Sequence, residues 1–379
     1  MRWPDGVVSS GISCGIKPDG AHDLGVITFD EPTPWAGVFT LNAAAAAPVV
    51  WCREHLGAPV RALVVNSGNA NACTGVAGAA AVVATTAAAA AIASCDPHEV
   101  LVASTGPIGV PLPAGAIENA LPAAMASPGA EVEAFAGAIT TTDTVIKTSS
   151  HAAGAATVVG VAKGAAMIAP NMATMLAFLA TDAAADTGLL HATLAPAVRR
   201  TFNRISIDAC ESTNDSVFLF GTGSAGRAHP DDLAKAVEAV CADLAEQIVR
   251  DAEGAGKFVR IRITGAPTED GAAAAGRAVA SSALWRAAVG GGDPNWGRVL
   301  SALGAADRSL DMSRISLWIG DVPLFIDGEP VGGSSEAAAT MAADEIVVDC
   351  ALGSGHGACE VLSADLTEEY VRLNAEGTS

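Results

Sequence analysis

Thr174 is the residue whose type and surroundings best suit covalent chemistry. It follows the small residue Ala173 and lies between a turn rich in glycine and proline, residues 164–171, and an apolar run that begins at Met175. A threonine hydroxyl is a weak nucleophile until a base takes its proton, and a free α-amino group on the same residue can be that base. An N→O acyl shift that breaks the 173–174 peptide bond would therefore create an N-terminal nucleophile. The plain alternative is that Thr174 only begins a strand.

A second pattern suggests nucleotide binding. Gly221, Gly223 and Gly226 form a G-x-G-x-x-G sequence after the apolar run 217–220. A dinucleotide fingerprint requires a helix that opens within the glycines, whereas the helical pattern here begins only at Pro230. We therefore interpret the glycines as a flexible loop between a strand and a helix. Nucleotide binding or scaffolding remains an alternative function, and it predicts one intact chain.

Charge and composition exclude several function classes. The 379 residues carry 21 Lys and Arg against 41 Asp and Glu, a net charge of −20, which disfavours nucleic acids and anionic membranes as partners. The eight cysteines form no C-x-x-C pair and no histidine pair has metal spacing, so we expect reduced thiols and no metal site. The uncharged stretch 74–95 is mostly small residues and predicts a buried helix rather than a membrane span. Residues 1–5 contain no apolar signal segment, which favours a cytoplasmic protein.

The elements that must position Thr174 alternate between strands and helices, which predicts a mixed α/β fold. Apolar spacing predicts a long helix from Pro230, and residues 259–263 alternate as in a strand with one solvated face. A change of character near 265–271 predicts a domain boundary. Further strands are predicted at 36–41, 62–66, 99–104, 157–161, 175–180 and 345–352, a helix at 76–94, and a hairpin at 315–326.

Seven short segments occur in a distinctive order. They are 66–75 (NSGNANACTG), 104–109 (STGPIG), 141–143 (TTD), 163–176 (KGAAMIAPNMATML), 212–215 (STND), 251–254 (DAEG) and 293–298 (DPNWGR). Together they resemble the signature motifs of the ornithine acetyltransferase family, also called glutamate N-acetyltransferases or bifunctional arginine-biosynthesis proteins. The resemblance covers nearly the whole chain.

The resemblance implies a layered α/β/β/α sandwich with a smaller C-terminal α/β domain. We therefore expect a catalytic domain at 1–265 and a second domain at 266–379 whose tail returns to the active site. It also implies self-cleavage between Ala173 and Thr174, which gives an α chain (1–173) and a β chain (174–379) that assemble as an α2β2 heterotetramer.

The resemblance also implies roles for single residues. Thr174 would take acetyl from N-acetylornithine and pass it to glutamate, while the Thr105 hydroxyl and the Gly106 N–H would form the oxyanion hole. No cofactor is implied, and acetyl-CoA is left open as an alternative donor. The residues implied to bind substrate are Thr141, Lys163, Thr174, Glu253, Asn374 and Ser379.

Taken alone, several of these residues have plainer interpretations. A lysine such as Lys163 is most often solvated, and chain ends such as the 374–379 tail usually fray. The sequence also departs from the family pattern: Ala166 stands where glycine is usual, Gly377 where an aromatic residue is usual, and the usual W-G before Asp365 is missing. These departures bear on substrate choice and on the geometry of the tail.

Two further functions share the same acyl-enzyme chemistry. A self-processing amidase or aminopeptidase would resolve the intermediate with water instead of an amine. An acetyltransferase of a specialised-metabolite pathway would use the same nucleophile on other amino acids.

Overall fold

The computed structural model describes residues 1–169 and 175–376. In chain order the strands are β1 (Val7–Ile12), β2 (Leu24–Thr33), β3 (Trp35–Phe39), β4 (Val60–Ser67), β5 (Val100–Thr105), β6 (Lys147–Ala153), β7 (Ala156–Lys163), β8 (Leu176–Ala183), β9 (Ile205–Ser206), β10 (Ser216–Gly226), β11 (Phe258–Ala266), β12 (Ser316–Ile319), β13 (Val322–Ile326), β14 (Glu329–Pro330), β15 (Glu345–Ala351) and β16 (Gly357–Ala364).

Helices separate most of these strands. They are α1 (Ala47–Glu54), α2 (Gly75–Ala93), α3 (Ala114–Ala126), α4 (Glu133–Ile139), α5 (Thr187–Arg200), α6 (Pro230–Arg250), α7 (Glu269–Ala280), α8 (Ala283–Gly290), α9 (Trp296–Ala306), α10 (Ser334–Thr340) and α11 (Glu368–Glu376). The α/β class predicted from the sequence is therefore confirmed.

Two mixed sheets form the centre of the molecule. The first has the order β1-β2-β4-β5 and the second the order β3-β10-β8-β7-β6. Their facing side chains belong to one apolar core, in which the ring of Phe29 on β2 lies 4.9 Å from that of Phe220 on β10. Phe178 and Phe218 stack beside them with centroids 5.5 Å apart. Because nearly every residue of β4, β5, β7 and β8 is buried, these strands are apolar without strict alternation.

Helices cover the two sheets and complete the layered sandwich. Helices α5 and α6 pack on the second sheet around a separate apolar core. Pro230 begins α6, and its predicted apolar face is buried, from Leu233 to Ile248. Helices α2 and α3 pack together and against the first sheet.

Helix α2 confirms the predicted helix but differs from it in burial. Its 19 residues are long and apolar enough to span a membrane by length and composition, and among the described residues it is the one helix that meets this criterion. One side packs on the first sheet through residues such as Val82. The other side is exposed, with 89% of Val76 and 55% of Val83 accessible to solvent. The sequence predicted a buried helix because composition alone does not distinguish the two sides.

A third sheet, in the order β14-β13-β12-β15-β11-β16-β9, forms the C-terminal unit with its own core. Strand β11 pairs with β15 and β16 in this sheet. The boundary predicted between residues 265 and 266 therefore cuts β11, and pairing groups Phe258–Ala266 with the C-terminal strands. Strand β9, from the earlier part of the chain, also joins this sheet. The one-faced alternation of β11 is confirmed, but alternation does not identify the sheet to which a strand belongs.

The structure of the glycine-rich segment after Phe220 differs from the sequence-based prediction. Gly221, Gly223 and Gly226 lie in β10, which pairs in parallel with β8 up to Gly226 across an irregularity in register. The loop predicted there is wrong because β10 continues past Phe220: Gly221 pairs with Thr181 of β8 and Gly226 with Ala183, with an irregular stretch between them. The helical pattern starts at Pro230 as predicted.

Candidate active site

A pocket of about 410 Å³ opens where β4, β5 and β7 end. Strands β4 and β5 run in parallel, so their carboxyl ends meet at one edge of the first sheet. Strand β7 of the second sheet ends beside them at Lys163. The pocket is lined by, among others, Lys17, Gly68, Thr105, Gly106, Thr141, Lys163, Ala166, Asp208, Cys210, Tyr370 and Asn374.

Lys163 lies at the centre of the polar contacts in this pocket. The residue is only 2% exposed, which excludes the solvated surface lysine considered from the sequence. Its Nζ donates to Thr105 Oγ1 at 3.0 Å and to Thr141 Oγ1 at 2.7 Å. Because an ammonium group only donates, both hydroxyl oxygens accept, and their own protons remain available to other acceptors. Burial lowers the pKa of the Lys163 ammonium, and the charge of Asp143 opposes that shift.

Thr105 and Gly106 stand at the end of β5 on a rigid backbone. The Thr105 carbonyl accepts the N–H of Asn69 at 3.0 Å. Gly106 has a φ of +139°, and a Cβ there would lie 2.4 Å from the Asn69 nitrogen, so no residue with a side chain fits without a backbone shift. The Asn214 side chain donates to the Ser104 carbonyl at 2.8 Å and holds the same strand end. Such a fixed hydroxyl and N–H suit a site where negative charge develops.

Glu253 contacts Asn374, which is one of the residues that line the pocket. Asn374, on α11, donates from Nδ2 to Glu253 Oε2 at 3.1 Å. The Glu253 N–H donates to the Ala165 carbonyl at 2.9 Å, which ties this carboxylate to the segment that follows Lys163. Helix α11 therefore brings Asn374 to the pocket lining.

Three predicted residues lie outside the described part of the chain: Ala173, Thr174 and Ser379. The residue after Thr174 is held firmly, since the Met175 N–H donates to Asp215 Oδ1 at 3.0 Å. Burial raises the pKa of Asp215 well above its usual range. Of the sequence departures, Ala166 lines the pocket and Gly377 lies outside the described residues.

Sequence reasoning did not single out several pocket residues. Lys17 lines the pocket and donates to the Thr140 carbonyl at 2.8 Å. Asp208 accepts the Ile168 N–H at 2.8 Å and the Tyr370 hydroxyl at 3.4 Å, and burial raises the pKa of this carboxyl. Asp208 and Tyr370 lie outside the seven motifs, and each contacts the site only through tertiary folding. For Asp143 a signal was present, because it closes the T-T-D motif.

Known proteins resemble this chain over nearly its whole length. The ArgJ family profile matches residues 8–379. The "Arginine biosynthesis bifunctional protein ArgJ" of Thermus thermophilus is 44% identical over 99% of this chain and 98% of its own length, and that of Methylococcus capsulatus is 43% identical over 96% and 93%. A solved ArgJ structure from Bacillus halodurans matches with a TM-score of 0.51 and 35% identity, covering 53% of this chain and 98% of that one. On these matches and on the ordered motifs at the pocket, the chain belongs to the ArgJ family.

Proposed function

We propose that this chain transfers an acetyl group from N-acetylornithine to glutamate, in arginine biosynthesis, through an acetyl ester on Thr174. One observation carries the proposal: Thr105, Thr141 and Lys163, from three separate segments of the chain, converge on one pocket at hydrogen-bond distance. The family to which the chain belongs supports the choice of substrates. The expected location is the cytoplasm.

The reaction proceeds in two half-reactions. The Thr174 Oγ attacks the acetyl carbonyl carbon while its α-amino group takes the hydroxyl proton. The amide C–N bond of N-acetylornithine breaks, and ornithine leaves with that proton. The amine of glutamate then attacks the ester carbonyl carbon, the bond between that carbon and Thr174 Oγ breaks, and Oγ takes the proton that the amine loses.

Three pocket residues act at the reacting carbonyl group and at the substrate carboxylate. In both half-reactions an oxyanion forms, and we assign its stabilisation to the Thr105 hydroxyl and the Gly106 N–H. The Lys163 ammonium directs the Thr105 proton away from itself, because Thr105 Oγ1 already accepts from Nζ. With two of its protons engaged by hydroxyls, Lys163 has a third for the carboxylate shared by both substrates.

The remaining substrate contacts follow from charge. Glu253 supplies a carboxylate for the substrate ammonium group, and Asn374 fixes one of its oxygens. Thr141 and Ser379 complete the set assigned to substrate binding, with Thr174 itself. Asp208, which lines the pocket, is a second carboxyl group in addition to Glu253.

Self-cleavage between Ala173 and Thr174 is required to free the α-amino group. It is supported by the solved Bacillus halodurans chain, which is matched over 98% of its own length but covers only 53% of the present sequence. The proposed β chain, residues 174–379, makes up a similar fraction of the present sequence. A denaturing gel tests it: the wild type should give two fragments in place of one 37.6 kDa chain, and Thr174→Ala should stay intact. A single full-length wild-type band with full activity would contradict the role of Thr174.

The acetyl ester is tested by mass spectrometry. N-acetylornithine without acceptor should add one acetyl group to the peptide that begins at Thr174, and glutamate should discharge it faster than water. Discharge that is indifferent to glutamate would assign the chain to the amidase and aminopeptidase class. Acetyl-CoA as donor in a parallel reaction tests the second activity implied by the word "bifunctional" in the relatives' name.

We also propose self-association as an α2β2 heterotetramer. The exposed side of α2 supports it, since Val76 and Val83 protrude beside an apolar groove that includes Val50 and Trp51. A helix without one charged residue, in a chain of net charge −20, offers a second copy a surface free of like-charge repulsion. Native mass measurement should give twice the precursor mass, and Val83→Glu should halve it. An unchanged mass for that variant would place the interface elsewhere.

A further inference from the structure

Asp143 is buried beside the pocket and divides its two carboxylate oxygens between separate partners. Its Oδ1 accepts the Gly164 N–H at 2.6 Å and the Lys147 ammonium at 2.6 Å. Its Oδ2 accepts the Thr141 N–H at 3.0 Å. The side chain is fully excluded from solvent.

Two of these partners, Thr141 and Gly164, flank the hydrogen bond between Lys163 and Thr141. Gly164 is the residue after Lys163, and Thr141 carries the hydroxyl that accepts from Lys163 Nζ. We infer that Asp143 is a positioning residue for the transfer reaction: by holding the Thr141 and Gly164 N–H groups, it places the Lys163 ammonium between the Thr105 and Thr141 hydroxyls. This inference rests on the proposed function of that pocket.

Asp143 also supplies charge to Lys163. Of the ionisable groups that act on Lys163, Asp143 and Asp215 favour the ammonium form, while Lys147 and Lys17 oppose it. Burial raises the pKa of Asp215 well above its usual range, which disfavours the charged form of that carboxyl. Burial also disfavours the charged form of Asp143, but the charges of Lys163 and Lys147 outweigh it and hold the pKa at about 2. Of the two carboxyl groups, Asp143 therefore supplies the larger charge in favour of the Lys163 ammonium.

Among the described residues, several other titratable groups line the same pocket without a hydrogen bond to Lys163. They stay in place in every variant below, so only a group whose pKa depends on the charge of Asp143 can change the difference between the pH profiles. They are Lys17, Asp19, Asp208, Cys210 and Tyr370, with Glu253 beside Asn374. Of these, Lys17 is the one whose pKa the charge of Asp143 also raises, against the effect of burial.

The sign of the pH effect follows from the charge. A carboxylate next to an ammonium group raises the pKa of that ammonium. Without the charge of Asp143, Lys163 loses its proton at a lower pH, and the substrate carboxylate then loses its cationic partner. The basic limb of the kcat/KM profile should therefore move toward lower pH.

The experiment compares Asp143→Asn with Asp251→Asn in the full-length, self-processed enzyme. Asp251 binds the same Lys147 ammonium at 2.6 Å but contacts Thr144 rather than Thr141 or Gly164, so it is a matched control. For Asp143→Asn we expect the basic limb to move down by about one to three pH units and KM for N-acetylornithine to rise about tenfold. Asp251→Asn should keep the wild-type basic limb.

Asp143→Glu separates charge from position. It keeps the negative charge but is one methylene longer, so the basic limb should return toward that of the wild type while KM stays raised. It also provides the test if Asp143→Asn fails to fold. A basic limb that is the same in Asp143→Asn and Asp251→Asn would overturn the inference, and so would a wild-type KM for Asp143→Glu.

The wild type distinguishes failure of this inference from failure of the proposed function. If the wild type forms no acetylated Thr174 peptide, the proposed function fails. If it forms the adduct and transfers acetyl to glutamate, while Asp143→Asn has the pH profile of Asp251→Asn, only the role of Asp143 is refuted.

Discussion

Two buried lysines lie on neighbouring strands and have opposite surroundings. Lys147 begins β6 and pairs with Ala162, the residue before Lys163, which ends β7. The Lys147 ammonium contacts two carboxylates, those of Asp143 and Asp251, each at 2.6 Å. The Lys163 ammonium contacts two neutral hydroxyls, those of Thr105 and Thr141.

The difference shows how one fold uses the same side chain in two ways. A buried ammonium group is costly unless its charge is compensated. At Lys147 the protein supplies the compensation itself, so the lysine serves stability. At Lys163 much of the compensation is left to a ligand, which makes the group a binding site for a carboxylate. Asp143 contacts Lys147 directly and reaches Lys163 through Gly164 and Thr141.

The largest expected effect is on stability, at Lys147. Lys147→Met leaves Asp143 and Asp251 buried without their cation, and breaking a buried pair in this way typically costs about 3–5 kcal/mol. We expect a loss of this size in the free energy of unfolding, measured by urea denaturation. Lys163→Met is the matched control: it leaves hydroxyls that can still rotate to donate, so it should lose less stability and much more activity. Equal stability losses in the two variants would refute the distinction.

The next effect is on chemistry, at the hydroxyl that Lys163 contacts. Thr105→Ala removes one oxyanion donor and should lower kcat by about 10²–10³-fold. Thr105→Ser keeps a hydroxyl and should retain most of the activity. Circular dichroism melting should show similar unfolding midpoints for both variants. Wild-type turnover by Thr105→Ala would assign the oxyanion to other groups.

The sequence predicted Lys163 but not Lys147, and the reason is physical. Lys163, Thr105 and Thr141 belong to ordered motifs, so a resemblance identifies them without any knowledge of their contacts. Lys147 is in no motif, and its partner Asp251 lies 104 residues away, so only tertiary folding brings them together.

Elements of the fold were also predictable only where their signal lies within a short stretch of sequence. Helix α6 was predictable because the 3.6-residue spacing of its apolar side chains is local. The extension of β10 through its glycines was not, because its hydrogen bonds go to β8. The sheet that β11 joins was likewise set by β15 and β16, which lie about a hundred residues further on.

The smallest expected effect is on the free energy of unfolding at acid pH. It tests whether Asp143 is ionised in the folded protein, as the comparison of the two lysines requires. Its pKa is held at about 2 against an ordinary 3.8, chiefly because the charges of Lys163 and Lys147 outweigh burial. A carboxyl whose folded-state pKa is depressed contributes stability that is present above its unfolded pKa and is lost as pH falls through the folded value. That contribution should therefore disappear between about pH 4 and pH 2, and the shift corresponds to roughly 2 kcal/mol.

Urea denaturation from pH 6 to pH 2 measures this contribution as the difference between the wild type and Asp143→Asn. Other carboxyl groups titrate in both proteins, so their effects cancel in that difference. The gap in unfolding free energy should be constant above about pH 4 and narrow as the pH falls toward 2. A gap that stays constant down to pH 2 would mean that Asp143 is not ionised in the folded protein. The two lysines would then lack the shared carboxylate on which their contrast depends.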